Sequence, residues 1–454
     1  MKKINLYFIL ISVLCVNQIY AQKVLSLEES KQLALQNNAK SKNSRLEVEV
    51  SHQVKKSTFT NYFPNISAGG MMFEAQKGLM EIETHGGDLP VYDGDPANLK
   101  NPTLYAYMPA STMSAMKKGT VGFVNIVQPV FAGGRIYNGN KLASLGEEAS
   151  ELKDKLTKDE IFLKTEEQYW QIVSLEEKQT TINKYEELLR QLLFQVEDAF
   201  NSGLVMTNDV LKVKLKLSEV LLNKSKLENG RKLAAMAFCQ QIGIPFDSII
   251  VLKDELHVRG IPQNFYVENS EALKNRNEYN LLGLSVEAEK LQTKMKLGEY
   301  LPQVGIGISG MYMKFDEGKD RTFGMVFGTV SVPISGWWGG SHELQERNIK
   351  EEIAENNFKN NSELLILQME KAWQDLNNVH KQYLLSEESK TQAEENLKVN
   401  EDSYKNGLIN VSDLLEAQAL LQQTEDQLID AKSNYVVKRT TYLQVTGRYQ
   451  QFVF

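Results

Sequence analysis

Apolar residues recur at intervals of three and four over most of the chain, which is the spacing of amphipathic helices. The pattern predicts an opening helix over 27–61, a very long helix over 135–201 and a returning helix over 207–243. A second opening helix is predicted over 268–299. The final helix has the most regular spacing, typical of a coiled-coil seam, formed by Leu414, Ala417, Leu421, Thr424, Leu428, Ala431 and Tyr435.

Four other segments have a period of two and combine β-branched and aromatic residues with glycine. Two of them begin after Pro64 and Pro302, and two are closed by Pro129 and Pro333. This pattern predicts four strands, each with one apolar face and one face of small residues. The predicted strands include 121–128, 304–312 and 323–332.

The predicted elements occur twice in the same order, helix-strand-strand-helix-helix. Short segments of the first half return in the second half, with one offset for the segments before position 67 and a smaller offset for the segment that begins at 203. A pair of glycines after the second strand, Gly133-Gly134 and Gly339-Gly340, predicts a turn in each copy. Repetition on this scale indicates one supersecondary unit used twice. The repeated segments are 34–37 with 272–275, 62–66 with 300–304, and 203–211 with 407–415.

The repeats divide the chain into four parts. Residues 1–21 are a predicted signal peptide, 22–243 form repeat 1, and 268–454 form repeat 2. The segment 244–267 is predicted to link the repeats as part of an equatorial collar. Repeat 1 carries a polar, glycine-rich insertion over 74–117, predicted to be a long surface loop whose residues indicate no particular role.

The first residues have the features of an export signal. Lys2 and Lys3 precede an apolar stretch, and Ala21 supplies a small residue for cleavage. A lipid-modified Cys15 is the alternative. It is disfavoured because Leu14 stands where such a cysteine needs a small neighbour.

Composition and spacing argue against several functions. The net charge is −7 and no basic face is apparent, which disfavours nucleic-acid binding. The five histidines lack zinc-site spacing. The sequence G-x-G-x-x-G at 305–310 lies inside a predicted strand, whereas a dinucleotide site needs it between a strand and a helix. We expect no cofactor, no metal and no enzymatic activity.

The element lengths suggest an assembly. At 1.5 Å per residue, the helix over 135–201 would span ~100 Å, about the combined span of the opening and returning helices. Each repeat would then be a two-ply helical rod with a β-hairpin at one end. Four strands cannot close a barrel alone, since barrels need about eight or more. Copies of the chain would have to share a barrel, and three copies would supply twelve strands.

These motifs, duplicated and in this order, resemble the TolC family of outer-membrane efflux ducts. The resemblance covers nearly all of the chain after the predicted signal. It implies a mostly α fold with a β-barrel part: a long coiled-coil α-barrel in the periplasm, and four strands per chain in a trimeric twelve-stranded transmembrane β-barrel. The motifs that carry it are Tyr-x-Pro at 62–64 and 300–302, the strand ends at 128–134 and 332–340, and the turns at 203–211 and 407–415.

The function implied is that of a passive exit duct of a tripartite efflux or type I secretion system. It would conduct small molecules, metal ions or proteins across outer-membrane lipid, as a homotrimer that meets a periplasmic adaptor protein and an inner-membrane pump. The alternative from another class is a periplasmic coiled-coil scaffold or adaptor that does not span the membrane.

The resemblance also assigns a gate. Asp413 and Glu416 match an acidic pair that rings the periplasmic mouth in family members. Three positions apart, they share a helix face, and threefold symmetry would gather six carboxylates that attract cations. The alternative is that Asp413 only stabilises the first turn of the last helix. Repeat 1 has Asp209 and Lys212 instead, so we expect one acidic pair per chain.

Two further groups of residues acquire roles from the resemblance. The turns that separate the long helices would dock the adaptor, although glycine turns also fold apolar residues back onto a helix end. Aromatic residues at the strand ends would form an interfacial girdle, the alternative being packing at a strand–helix junction. The turn residues are Gly203, Leu204, Val205, Gly407, Leu408 and Ile409, and the aromatics are Tyr62, Phe63, Phe131, Tyr300, Trp337 and Trp338.

Overall fold

The computed structural model describes residues 23–246, 250–316 and 318–449. The predicted signal peptide, including Cys15, lies outside the described residues. Within them, the order of elements confirms the predicted class, a mostly helical chain with two copies of helix-strand-strand-helix-helix. The helices are α1 Leu27–Asn37, α2 Ala39–Phe59, α3 Arg135–Asn201, α4 Thr207–Ile242, α5 Asn269–Lys274, α6 Asn277–Glu299, α7 Trp337–Lys405 and α8 Val411–Val445.

The opening helix of each repeat is broken, whereas the sequence pattern predicted it to be continuous. In repeat 1 the break falls at Asn38, whose side-chain amide donates to the Gln241 carbonyl at 2.9 Å. The Asn38 side-chain oxygen accepts the Lys40 N–H at 2.8 Å and so caps the start of α2. In repeat 2 the break falls between α5 and α6, where Arg276 is almost fully buried and pairs with Glu278 at 2.6 Å.

The end of α4 meets the break in repeat 1. Gly243 has a left-handed φ of +69° and lies against Asn37, at the end of α1. Repeat 2 has the same arrangement, with Gly447 at φ +68° against the backbone of Asn275. The break therefore lets the short helix that precedes it pack beside the end of the returning helix.

The longest strands form one antiparallel sheet with the order β10-β9-β7-β2. Each repeat contributes two neighbouring strands, so the sheet joins the repeats through β7 and β9. The strands are β1 Lys23–Leu25, β2 Asn65–Glu74, β3 Met80–Thr84, β4 Gly87–Val91, β5 Leu104–Met108, β6 Ser111–Ala115, β7 Lys118–Ala132, β8 Ile250–Leu252, β9 Gln303–Phe315 and β10 Arg321–Ser331.

The predicted boundary prolines behave differently. Pro64 and Pro302 directly precede β2 and β9, and Pro333 follows the end of β10. Pro129 does not close its strand, and that prediction was wrong. Strand β7 runs on to Ala132, and a register shift against β9 just after Pro129 accommodates a residue that has no N–H to donate.

The predicted glycine turns also differ. Gly133 and Gly134 have φ values of +62° and +75° and form the turn before α3. Gly339 and Gly340 lie inside α7, which begins at Trp337, so the predicted second turn is wrong.

The insertion of repeat 1 is a β-ribbon and not the predicted loop. Strand β3 pairs with β6, and β4 pairs with β5, in one continuous antiparallel register. We call residues 75–117 the arm, β3 and β6 its inner half, and β4 and β5 its outer half. The arm continues the β2–β7 pair beyond the four-stranded sheet.

The segment between the repeats pairs with the start of repeat 1. Strand β8 lies parallel to β1, and the Asp254 carboxylate accepts the Leu27 N–H at 2.7 Å. The side chain of Asp254 thereby satisfies a donor at the beginning of α1. That the segment 244–267 forms part of an equatorial collar stays a prediction.

The chain divides into two compact units. The helical unit comprises residues up to His52, Leu145–Glu287 and Ile353 onward, and the sheet unit comprises Gln53–Ser144 and Ala288–Glu352. The helical unit contains three clusters of buried apolar residues. The predicted seam of α8 lies in its interior: six of the seven positions are buried and Leu421 is partly buried.

Candidate functional site

The turns between the long helices have matching geometry. In repeat 1 the Gly203 N–H donates to the Phe200 carbonyl and the Leu204 N–H donates to the Ala199 carbonyl, both at 2.9 Å. Gly203 has a φ of +75°, so this helix end needs the left-handed backbone that glycine adopts most readily. Repeat 2 reproduces both bonds, from Gly407 to Tyr404 and from Leu408 to Ser403.

The apolar residues of the turns divide between two environments. Leu204 is 78% exposed and Leu408 is 76% exposed. The next residue of each turn, Val205 or Ile409, is partly buried, and Val205 packs against the core cluster of the helical unit. Each turn therefore presents one leucine to the outside and folds the following residue inward.

Asp413 takes part in the capping of α8. The Asn410 side chain accepts the N–H groups of Ser412 and Asp413, at 2.8 and 3.2 Å, and the Asp413 carboxylate accepts the Asn410 N–H at 3.2 Å. This is a capping box. Asp413 and Glu416 are both exposed, whereas Leu414 and Leu415 between them are buried. The capping role is thus present, and it leaves both carboxylates on one exposed helix face.

Lys212 has a contact that sequence reasoning did not find. Its Nζ donates to the Ser412 hydroxyl at 2.8 Å and lies 3.6 Å from Asp209. The contact joins the second turn of α4 to the first turn of α8, next to Asp413. The sequence shows that repeat 1 has a lysine, Lys212, where repeat 2 has its second acid. It does not show that this lysine lies next to Ser412.

The two faces of the four-stranded sheet differ in chemistry. On β9, Gly305, Gly307 and Ser309 are buried, while the intervening isoleucines are 55% exposed, as the alternating pattern predicted. We call the isoleucine side the apolar face. Its exposed members in the four strands include Ile66, Val124, Ile306, Ile308 and Val326.

The opposite face is mixed: small and polar side chains form its middle, and large apolar ones such as Phe123, Met311 and Phe323 lie beside them. Ser67, Asn125 and Ser309 form a row across three strands, in register with one another. The Ser309 hydroxyl donates to the Asn125 side-chain oxygen at 2.5 Å, which links the two repeats inside the sheet. We call this side the polar face.

Both edges of this sheet are open. Strands β2 and β10, ten and eleven residues long, each have one neighbour in the sheet among the described residues. Long open edges present unpaired N–H and C=O groups and are templates for pairing with another chain.

The aromatic residues at the strand ends have mixed environments. The Trp337 indole donates to the Tyr300 carbonyl at 2.9 Å, and the Gln128 side chain donates to the Tyr62 carbonyl at 3.0 Å. In each repeat a side-chain N–H thus binds the carbonyl of the tyrosine that precedes the strand. The remaining predicted aromatics are exposed: Phe63 by 52%, Phe131 by 46% and Trp338 by 84%.

Two searches of the described residues gave negative results. No helix there combines the length and the apolar composition that a membrane span requires. No group of three or more His, Cys, Asp or Glu side chains is arranged there to hold a metal ion.

The chain shares its fold with solved outer-membrane channels. Three solved structures illustrate this. The Campylobacter jejuni CmeC outer membrane channel is 14% identical, with 93% of this chain and 86% of that chain covered and a TM-score of 0.76. The Vibrio cholerae outer membrane protein VceC is 14% identical, with 93% of this chain and 96% of that chain covered and a TM-score of 0.72. The Neisseria gonorrhoeae MtrE outer membrane channel is 13% identical, with 93% of this chain and 89% of that chain covered and a TM-score of 0.73.

The sequence itself points to the same group. Residues 270–448, almost the whole of repeat 2, match the profile of the outer membrane efflux protein family. No curated protein sequence matches the chain. The family match and the shared fold confirm the resemblance to the TolC family that the repeated motifs indicated.

Proposed function

We propose that three copies of this chain share one barrel in the outer membrane and form the exit duct of a tripartite efflux or type I secretion system. The observation that carries the proposal is the four-stranded sheet, which has an apolar face and two open edges. In lipid every backbone polar group must be paired, and a sheet meets this requirement only as a closed barrel.

The strand order supports closure by identical copies. Neighbouring strands alternate in direction from β10 to β2, so β10 and β2 run antiparallel to each other. If β10 of one copy pairs with β2 of the next, the ladder stays antiparallel at every junction. Such a head-to-tail interface closes into a ring. Three copies, the number that the family resemblance implies, would give twelve strands.

The helical unit also has surfaces that a neighbour would cover. Leu211, Leu215 and Leu222 lie on one face of α4 and are 52%, 71% and 57% exposed. An apolar stripe on a helix packs against another element in a stable fold. A neighbouring copy is the partner that the ring provides.

The candidate site residues take their roles from this arrangement. Asp413 and Glu416 would ring the periplasmic mouth, and Leu204 and Leu408 would dock the periplasmic adaptor. The exposed aromatics at the strand ends would lie at the membrane interface. The chain would be a passive conduit for small molecules, metal ions or proteins, with transport driven by an inner-membrane pump.

Membrane fractionation followed by imaging of the detergent-extracted protein tests the proposal. We expect the protein in the outer-membrane fraction and a particle with threefold symmetry. A monomeric particle that needs no detergent would overturn the proposal and favour the periplasmic scaffold.

A pair of neighbouring substitutions tests the membrane face directly. Val326 lies on the apolar face of β10, paired with Ile308, and Met325 lies on the polar face, paired with Ser309. Both are exposed in one copy. Val326→Lys should destabilise the barrel by about 2–4 kcal/mol at the bilayer midplane and deplete the protein from the membrane. Met325→Lys is the matched control and should leave insertion unchanged. Equal effects would contradict the assignment of faces.

A further inference from the structure

The arm is fixed at its root by the β9–β10 connection. The Asp316 carboxylate accepts the N–H groups of Met116 at 2.7 Å, Lys117 at 3.3 Å and Lys118 at 3.0 Å. The Asp316 N–H donates to the Lys118 carbonyl at 2.8 Å. Phe73 and Phe315 pack near the same point, with ring centres 6.2 Å apart. The arm therefore leaves the sheet in a defined direction, at the end away from the helices.

The outer half of the arm has two exposed apolar faces. On one face Leu89, Val91 and Leu104 are 50%, 46% and 54% exposed. On the opposite face Tyr105 and Tyr107 are 56% and 72% exposed. The inner half differs, because its apolar face carries Met80, Ile82 and Met113 and its other face carries Glu81 and Glu83.

This pattern limits what can cover the outer half. A two-stranded ribbon has unpaired backbone groups along both edges, so it does not belong in lipid. A single flat partner would cover one face and leave the other in water. Isolated two-stranded ribbons are marginally stable in water, so cover on both faces is stabilising. The occupant must therefore contact both sides of the ribbon.

A ring of copies supplies such an occupant. The arm continues directly from β2, the edge strand that meets the next copy in the proposed barrel. The connection between β9 and β10 in that next copy spans only 316–320 and does not reach the outer half of a neighbouring arm. Two-stranded ribbons twist strongly, so an arm that turns out of the barrel wall toward the axis would stand between two other arms, one on each face.

We propose that the outer halves of the arms of neighbouring copies pack against each other, the tyrosine face of one on the leucine face of the next, over the outer exit of the duct. This inference rests on the proposed ring of three copies. The contact is head-to-tail, like that between the barrel strands, so it closes around the same axis.

Cysteine cross-linking tests the contact. Val91 pairs with Leu104, and Tyr105 pairs with Pro90, so cysteines at 91 and 105 lie on opposite faces and cannot join within one chain. The double variant Val91→Cys with Tyr105→Cys should form covalent trimers when membranes are oxidised, whereas each single variant should not. The native Cys239 is fully buried in the helical unit and stays in all variants.

The inner half of the arm supplies a matched control. Glu83→Cys with Met113→Cys has the same diagonal spacing on opposite faces, and one of these faces is the acidic one. We expect no covalent trimer from this pair. Covalent trimers from both pairs would show unspecific collision and overturn the packing of outer halves.

The ring and the arm contact can fail separately. A threefold particle without cross-links from the 91/105 pair would overturn the arm contact alone. The absence of a threefold particle would overturn both proposals.

A second variant tests the position of the arms. In it an Asn-Gly turn, a two-residue connection that suits a hairpin, replaces residues 87–108. We expect it to keep the ring and to raise single-channel conductance; an unchanged conductance would overturn the placement of the arms over the exit.

Discussion

The ammonium of Lys31 on α1 lies 2.7 Å from a carboxylate oxygen of Glu166 on α3, and only 4% of each side chain is exposed. The other oxygen of Glu166 accepts a hydrogen bond from the Thr440 hydroxyl on α8, also at 2.7 Å. The two charges of a buried ion pair compensate each other, and each is costly without the other. Glu166 thus ties the first helix and the last helix to the long helix of repeat 1.

Removal of one partner should therefore destabilise the helical unit strongly. We expect Lys31→Met to lower the free energy of unfolding by about 3–5 kcal/mol, because it leaves the Glu166 carboxylate buried without a counter-charge. The double variant Lys31→Met with Glu166→Met should recover most of this loss. Denaturant unfolding of the purified protein, followed by circular dichroism, measures both.

An exposed pair between the next helix, α2, and α3 provides the control. Lys40 and Glu160 lie 2.6 Å apart, but their side chains are 54% and 63% exposed. Lys40→Met should change the free energy of unfolding by about 1 kcal/mol or less. If Lys31→Met and Lys40→Met have equal effects, burial does not determine the strength of the Lys31–Glu166 contact.

The contact between Gly243 and Asn37 gives a second prediction. A Cβ at position 243 would collide with Asn37, and the φ of +69° disfavours any other residue. We expect Gly243→Ala to destabilise the protein by about 1–3 kcal/mol, measured as a lower melting temperature.

Gly230 is the matched control because it lies in the interior of the same helix with open space around its Cα. Gly230→Ala should be neutral or stabilising by up to about 1 kcal/mol, since alanine is the better helix former. A stabilising Gly243→Ala would show that the end of α4 does not need to approach α1 closely.

Local signals predicted much of this fold. The helix over 135–201 was predicted with the bounds that the structure has, because the glycine pair before it and Gly203 after it mark both ends. The strand faces followed from the alternation around Ile306. The arm was not predicted, since only its short inner half alternates between apolar and acidic residues, whereas its outer half carries apolar residues on both faces.

Contacts between distant segments left no local trace in the sequence. Lys31 with Glu166 and Lys212 with Ser412 each join residues more than a hundred positions apart. Charged residues are frequent in every helix, so spacing cannot indicate which lysine meets which acid. The break at Asn38 depends likewise on the end of α4, which reaches it only in the folded chain.

Asp426 should make stability depend on pH. The pKa of the Asp426 carboxyl is raised to about 6, mainly by burial; Lys178 opposes the rise, and nearby Asp430 and Glu425 contribute to it. One carboxylate oxygen accepts from Gln422 at 2.6 Å, and the other is buried without a hydrogen-bond partner among the described residues. The folded state thus binds the proton more tightly than the unfolded chain.

The sign of the effect follows from proton binding. Between the ordinary pKa of aspartate, about 4, and the raised value of about 6, the folded state holds more protons, so stability falls as the pH rises. Asp426→Asn should flatten this part of the profile, measured as melting temperature against pH. Asp159, whose pKa burial also raises to about 6, would keep some of the slope.

Glu395→Gln is the control for the pH profile, since it neutralises an exposed acid on α7. It should leave the slope as in the native protein. If Asp426→Asn does not change the slope either, the Asp426 carboxyl has the same pKa in the folded and unfolded states, and its burial does not persist in the assembled protein.

The acidic pair of α8 should set the ion selectivity of the duct. The double variant Asp413→Asn with Glu416→Gln would remove six negative charges from a trimer, and a ring of carboxylates favours cations. We expect the reversal potential under a salt gradient to shift toward zero and the preference for cations to fall several-fold. Planar-bilayer recording of the purified protein measures this.

The choice of asparagine separates selectivity from capping. An asparagine at 413 keeps a side-chain oxygen that can accept the Asn410 N–H, so the melting temperature should change little while the charge is lost. Glu395→Gln again serves as the control for charge removal elsewhere on the helices. An unchanged reversal potential in the double variant would mean that Asp413 acts only in the first turn of α8 and that the mouth of the duct is formed by other residues.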